Sequence, residues 1–248
     1  MGTWKKWWAC AGLVLSTCAS GCTAAESASI DESFAGPNGL ITAEKRPSEG
    51  DSAWEVTSGS LFRDDDEGWT GTPDDGREAG DTGSSVFRMV SVERDLVDFD
   101  MTMQLRVDRM VESDRTPAQT YDGAHIWVRY KSDRQLYAVS VDRRDSTMII
   151  KKKCVGGDEN GGTYFDLNSF TQNAPIPFGE WQRISVAVRD LPDGSVSIVA
   201  SRDGRIMKAI DRGIGCPPLR GGGGVGIRGD NAELRFDDIR VVRTDPRT

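Results

Sequence analysis

His125, Trp127 and Arg129 stand two residues apart. On an extended chain that spacing sends all three side chains to one face. They belong to the stretch GAHIWVRYKSDRQLYAVSVDRRDSTMIIKKK, Gly123 to Lys153, which reads as three consecutive strands joined by two tight turns. With Asp145-Ser146 as a two-residue turn, Arg144 opposes Thr147, Ser140 opposes Lys151 and Ala138 opposes Lys153. The expected ligand-binding face is therefore His125, Trp127, Arg129, Ser140, Asp142, Arg144, Lys151 and Lys153. An indole stacks on a sugar ring, while Arg, Asp and Lys bond its hydroxyls or carboxylates. Arg129, Arg144, Lys151 and Lys153 face Asp142 as the single acid, the reverse of a chain whose net charge is −8. That reversal points to a polysaccharide or cell-wall glycan of anionic character. The alternative for the same face is an ordinary wet or loop-covered sheet, with Trp127 packed under Asn173 to Phe178.

The elements that must hold such a face are strands. From Gly36 onward short alternating runs are separated by turn signals. Trp54–Val56 and Ser60–Phe62 flank Ser58-Gly59 as a hairpin, and Arg63 to Gly83 reads as an acidic, Gly-rich loop. Val86–Val90 is a strand, and Phe99, Met101, Met103, Leu105 and Val107 alternate cleanly. Lys153 to Gly179 reads as a second long loop. Ile184, Val186 and Val188, then Val196, Ile198 and Ala200, then Arg205–Ile210 continue the pattern, and Val225–Arg228 and Glu233–Val242 close it. About a dozen strands and no 3.6-residue periodicity mean an all-β, two-sheet antiparallel β-sandwich of jelly-roll type. Gly226, Gly229 and Asp230-Asn231 read as a bend and turn without chemistry.

With 248 residues and 37% hydrophobic content, the chain has room for one good core. Its negative charge argues against nucleic acid, whose phosphates it would repel. Lys5 and Lys6, an apolar stretch and a small-residue zone make residues 1–21 an export signal. No later apolar run reaches the roughly 18 residues that a transmembrane helix needs. Ala19-Ser20-Gly21-Cys22 resembles the bacterial lipobox, which implies lipidation of Cys22. The expected location is the outer face of the cell membrane, held by that lipid anchor only, or secretion. Residues 22–35 read as a flexible tether, 36–243 as the sandwich and 244–248 as a tail. Cys10 and Cys18 leave with the signal and Cys22 carries lipid, so Cys154 and Cys216 remain as an even pair for a disulfide.

The strand order resembles the concanavalin A-like lectin/glucanase superfamily, the laminin-G-like jelly roll. The carriers are WEVTSGSL (Trp54 to Leu61), LYAVSVDRR (Leu136 to Arg144), GEWQRISVAV (Gly179 to Val188), the Asp203-Gly204 turn and GVGIRGDNAELRFDDIRV (Gly224 to Val241). The resemblance implies two antiparallel sheets, one concave, with glycan lying across the concave face. It also implies a structural Ca²⁺ at Asp237, with Glu44 as a possible partner. The superfamily also holds enzymes, and two alternatives follow. A glucanase needs paired carboxylates, for which Glu93, Asp95 and Asp98 come nearest. A polysaccharide lyase needs a carboxylate neutraliser and a base, for which Arg129, Lys151, His125 and Tyr137 are the right types, although Tyr137 falls on the apolar face. No catalytic set is assigned. A structural or adhesive surface module without a glycan site is the third reading.

Overall fold

The computed structural model describes residues 28–44, 52–72, 85–112 and 116–244. Its strands are β1 (Ile30–Glu32), β2 (Gly39–Ala43), β3 (Trp54–Ser58), β4 (Ser60–Asp64), β5 (Glu67–Trp69), β6 (Val86–Ser91), β7 (Phe99–Met110) and β8 (Gly123–Ser132). They continue with β9 (Gln135–Arg143), β10 (Ile149–Val155), β11 (Gly162–Asp166), β12 (Gln182–Asp190), β13 (Val196–Arg202), β14 (Arg205–Asp211), β15 (Gly224–Asp230) and β16 (Ala232–Arg243). No helix occurs among the described residues. All sixteen strands pair antiparallel in two sheets. The nine-stranded sheet runs β14-β13-β12-β7-β16-β5-β4-β2 with β1 on β16, and the seven-stranded sheet runs β11-β10-β9-β8-β15-β6-β3. The expected all-β sandwich is present, with more strands than the dozen counted from alternation.

Alternation decides which face of each strand is buried. Phe99, Met101, Met103, Leu105 and Val107 of β7 meet Ile184, Val186 and Val188 of β12, and all are buried. Across the gap stand Ile126, Val128, Tyr137, Val139 and Ile150 from β8 to β10. The core lies between the sheets, where buried apolar surface is worth about 25 cal/mol per Å².

Polar ties also cross the core. Lys152 and Asp211 are both fully buried, with Nζ 2.8 Å from Oδ1, and the Tyr137 hydroxyl donates to Asp211 Oδ2 at 2.6 Å. Burial, followed by that carboxylate, pushes the Tyr137 hydroxyl far above its ordinary value. Cys154, at the end of β10, is bonded to Cys216 after β14, which pins the two sheets at one end.

Several expectations are corrected. The tether does not run to residue 35, because Ile30 to Glu32 pair with Val241 to Ile239 and Phe34 is buried against Phe236. Trp54–Val56 and Ser60–Phe62 are not a hairpin: β3 pairs with β6 in one sheet and β4 with β2 and β5 in the other. The chain changes sheets at Gly59, whose φ of 78° is accessible to glycine at little cost. The two supposed loops contain β5 and β11. The export signal, the lipobox and Cys22 lie outside the described residues.

Candidate functional site

Pairing through the seven-stranded sheet lines up two rows of side chains on the face away from the core. One row is Arg88, Arg228, His125, Ser140 and Ile149, from β6 to β10. The next is Val90, Gly226, Trp127, Ala138, Lys151 and Asp166. Asp230 stands two residues beyond Arg228, hence on the same face. Tyr121 from the loop before β8, Tyr164 from β11, and Asp158, Glu159 and Asn160 from the β10–β11 turn rise around these rows. Together with Arg143 and Lys153 they enclose a cleft of about 280 Å³. The turn is braced from within: Glu159 accepts from the Tyr164 amide at 2.9 Å and Thr163 Oγ1 donates to the Gly156 carbonyl at 2.7 Å.

Of the residues expected here, His125, Trp127, Ser140, Lys151 and Lys153 line the cleft. Arg129, Asp142 and Arg144 do not, for one physical reason. An extra residue in a strand inverts alternation beyond it. The first irregularity lies where β8 pairs with β9 and β15: Val128 opposes Tyr137, the next partners are Ser132 and Gln135, and Gly224 pairs with Tyr130. Arg129 sits there at a φ of 51°, and Tyr130 instead of Arg129 shares the outer face with Trp127. A Cβ on Gly223 would lie 2.7 Å from the Arg129 backbone, so this crossing needs glycine. The second irregularity falls between Ala124/Asp142 and His125/Ser140. It turns Asp142 inward to Arg202 and Gln182 of the other sheet and brings Arg143 outward. Arg144 stands 3.4 Å from Asp122, outside the cleft. The β9–β10 register is also two residues from the expected one, with Ser140 opposite Ile149; a slip of two keeps each side chain on its face.

Trp127 is 2% exposed, so it is not an open stacking platform. Tyr130 stacks on it at 5.5 Å and Arg228 lies over it at 5.9 Å. The segment expected to cover it, Asn173 to Phe178, does not line the cleft. The accessible aromatic at the rim is Tyr121, 45% exposed. Phe170, a further exposed ring, packs under Arg143 and Lys151 at 5.5 and 5.8 Å.

Charge is concentrated on the cleft floor. Arg228 grips Asp230 with Nε–Oδ2 at 2.6 Å and Nη2–Oδ1 at 2.8 Å. Burial pushes the Asp230 carboxyl up, but Arg228 and His125 outweigh it and hold the group far below the usual carboxylate range. His125 Nε2 lies 3.3 Å from Asp230 Oδ2, and its Nδ1 lies 2.8 Å from Ser140 Oγ. Burial lowers the His125 pKa despite Asp230, so the ring is neutral at neutral pH. Arg88 stands directly opposite Arg228, and like charges so placed repel. Lys153 is pushed down by burial first and by Arg228 next, with Arg88 adding to it.

The candidate sets for other chemistry do not assemble. Tyr137 is in the core and Arg129 is bound to Asp190, so the lyase set is split between two faces. Glu93 and Asp95 lie in the irregular stretch after β6, where Arg243 holds both, and Asp98 approaches Arg129. The Glu44 backbone amide donates to the Gly59 carbonyl at one end of β4, whereas Asp237 follows Phe236, which pairs with Gly68, itself opposite Arg63 near the other end. Asp237 Oδ1 is buried with no hydrogen-bond partner among the described residues. Its neighbouring charges are Asp238, Glu67 and Glu32 rather than Glu44. Among the described residues no group of three or more His, Cys, Asp or Glu could hold a metal, and the structure does not bring Glu44 and Asp237 together.

Arg143, Arg228, Asp230, Tyr121, Tyr164 and the turn acids are the cleft residues that alternation missed. Arg228 and Asp230 carried a usable signal, since Gly224–Asp230 alternates as β8 does.

No protein-family model matches the chain, and no curated protein matches it. Solved structures do. A carbohydrate-binding module, CBM66 from Bacillus subtilis, superposes with a TM-score of 0.52 at 11% identity, over 77% of this chain and 96% of that one. A structure from work on endo-acting O-glycanases of the human gut microbiota gives a TM-score of 0.57 at 10% identity, over 88% and 100%. The carbohydrate recognition domain of Emp46p, in a potassium-bound form, gives 0.51 at 7%, over 84% and 97%. At these identities the likeness establishes the fold alone: a two-sheet antiparallel β-sandwich of jelly-roll type.

Proposed function

We propose that the protein binds carbohydrate in the cleft on the outer face of the seven-stranded sheet, with preference for a polysaccharide bearing acidic groups. The observation that carries the reading is the crowding of Arg88, Arg228 and Lys153 on one face, where Lys153 is held below its ordinary pKa by burial and by its cationic neighbours. A sulfate or uronate group placed there would relieve that repulsion. Tyr121 offers a half-exposed ring at the rim, and Asp158, Glu159 and Asn160 offer acceptors and an amide to sugar hydroxyls. The acids Asp158, Glu159 and Asp230 also line the cleft, so hydroxyls of the ligand as well as its anionic groups find partners there. The likeness to a carbohydrate-binding module and to a carbohydrate recognition domain supports the class of ligand.

Export to the cell surface, with Cys22 as lipid anchor, belongs to the same proposal and is supported by the Cys154–Cys216 disulfide, a bond of oxidising compartments. A glycan array spanning neutral, sulfated and uronate-containing oligosaccharides tests the reading. Binding concentrated on acidic glycans is the expected result; binding to none of them removes the glycan site.

A further inference from the structure

Ser140, His125 and Asp230 form one hydrogen-bonded line across three neighbouring strands, β9, β8 and β15. Ser140 Oγ is 2.8 Å from His125 Nδ1, and His125 Nε2 is 3.3 Å from Asp230 Oδ2. The three side chains open on the cleft rather than on the core. From this geometry we propose a hydrolytic centre that cleaves small acyl esters carried on sugar hydroxyls, with Ser140 as nucleophile, His125 as base and Asp230 as the positioning group.

The direction of the proton contacts is forced. Asp230, gripped by Arg228, is an ionised acceptor. Nε2 of a neutral ring facing it must therefore carry the hydrogen, which leaves the Nδ1 lone pair for the Ser140 hydroxyl. A serine that donates to a neutral imidazole is the arrangement general-base activation requires. The ring nitrogens are used in the reverse order from chymotrypsin, but the roles are defined by geometry, not by atom name. Arg228 already neutralises Asp230, so the fold has no need of His125 for that purpose. Arg143, paired with Asp145, and Lys151, 3.6 Å from Asp166, line the same cleft and carry the positive charge that a developing oxyanion would meet there.

The reaction balances without an external redox partner. Ser140 Oγ attacks the ester carbonyl carbon while its proton passes to Nδ1. The bond from carbonyl carbon to sugar oxygen breaks, and that oxygen takes the proton. Water then attacks the acyl-serine and gives its proton to Nδ1; the serine oxygen leaves with that proton as the carboxylic acid departs. The cleft of about 280 Å³ has room for an acetyl-sized group. Only the identity of the alcohol rests on the glycan reading.

The test uses 4-nitrophenyl acetate and a fluorophosphonate probe on the intact protein, with glycan binding by the wild type measured separately. Phosphonylation at Ser140, and ester turnover lost about 100-fold or more in Ser140→Ala and His125→Gln, are expected. Asp230→Asn should lower kcat and shift the pH profile, with part recovered in Asp230→Glu. That profile is read with the charges around His125 in mind: Asp230 and Arg228 from β15, Arg143 and Asp142 from β9. If a variant does not fold by circular dichroism, the wild-type adduct decides. No adduct at Ser140, or turnover equal in wild type and a folded Ser140→Ala, overturns the proposal while leaving the glycan reading standing.

Discussion

Arg129 and Asp190 join the two sheets: the guanidinium, fully buried on β8, donates from Nη2 to Asp190 Oδ1 on β12 at 2.8 Å. Asp98 adds a second carboxylate at 3.5 Å, and the carbonyls of Leu96 and Gly221 accept from Nη1. Burial lowers the pKa of this guanidinium and the two carboxylates oppose the shift. Arg129 is therefore a structural tie, not a ligand contact. Removing one partner of a buried pair leaves an uncompensated charge, which costs about 3–5 kcal/mol. Arg129→Met should lower the melting temperature by roughly 10 °C, with part of the loss recovered in Arg129→Met/Asp190→Leu. Calorimetry checks both; a single variant as stable as wild type would mean that the pair is not closed.

His125 makes stability depend on pH. Burial holds its folded pKa below the unfolded value of about 6.5. A depressed pKa contributes stability that is complete above the unfolded value and declines as pH falls toward the folded one. Between pH 7 and 5 the wild type should lose stability by up to roughly 1.4 kcal/mol per pH unit, and His125→Gln should lose less. Below about pH 4 both proteins should weaken further as the unfolded chain protonates an Asp230 that the fold keeps ionised. Urea titrations across that range read the difference; parallel curves for the two proteins would show that His125 stays hydrated.

The disulfide closes a loop with a sequence separation of 62 and holds β10 to the segment after β14. Lys152, which donates to the Cys216 carbonyl at 2.6 Å, ties the same place. Cys154→Ser/Cys216→Ser should destabilise by about 2–5 kcal/mol. Thermal melts of oxidised and reduced protein give the figure, and coincident melts would contradict it.

Asp237 is raised by burial first, then by Asp238, with Glu67 and Glu32 adding to the repulsion. For an acid, a raised folded pKa penalises the ionised state, so the penalty is present at neutral pH and fades as pH falls. Asp237→Asn should raise the melting temperature at pH 7 by roughly 1–3 °C, a modest gain because solvent screens the partly exposed group. The advantage should vanish near pH 4. Ca²⁺ added after chelation should leave the wild-type melt unchanged; an upward shift would show that Asp237 does recruit a cation.

Period-2 alternation was enough to place His125, Trp127, Ser140, Lys151 and Lys153 on one face, because each lies in a regular run of its strand. It failed where the strands are irregular. The irregularity at Arg129 and the one between Asp142 and Ser140 invert alternation, and nothing in RYKS or SVDR distinguishes them from plain strand. The sheet change at Gly59 was read as a hairpin because a tight hairpin and a crossover share the same Ser-Gly signal. Asp230 was read as a turn residue and Arg228 as the end of a closing strand, although their spacing puts both on one face; the structure sets that face beside His125. That contact needs β15 to lie next to β8, a pairing about 100 residues apart in sequence that no local pattern states.

Lys153 and Arg228 in the cleft, with Arg88 opposite Arg228 on the same sheet face, should draw acidic glycan to it. Isothermal titration of polygalacturonate and of a neutral β-glucan into wild type and Lys153→Met is the decisive measurement: Met keeps an unbranched stem and removes the ammonium that lies 5.2 Å from the Tyr164 ring centroid. Salt-sensitive binding of polygalacturonate is expected, weakening about 10-fold in the variant through the loss of one charge-assisted contact worth about 1.4 kcal/mol. No comparable loss is expected for the neutral polymer. Equal affinity of wild type and Lys153→Met for polygalacturonate, or a wild-type preference for the neutral glucan, would contradict it.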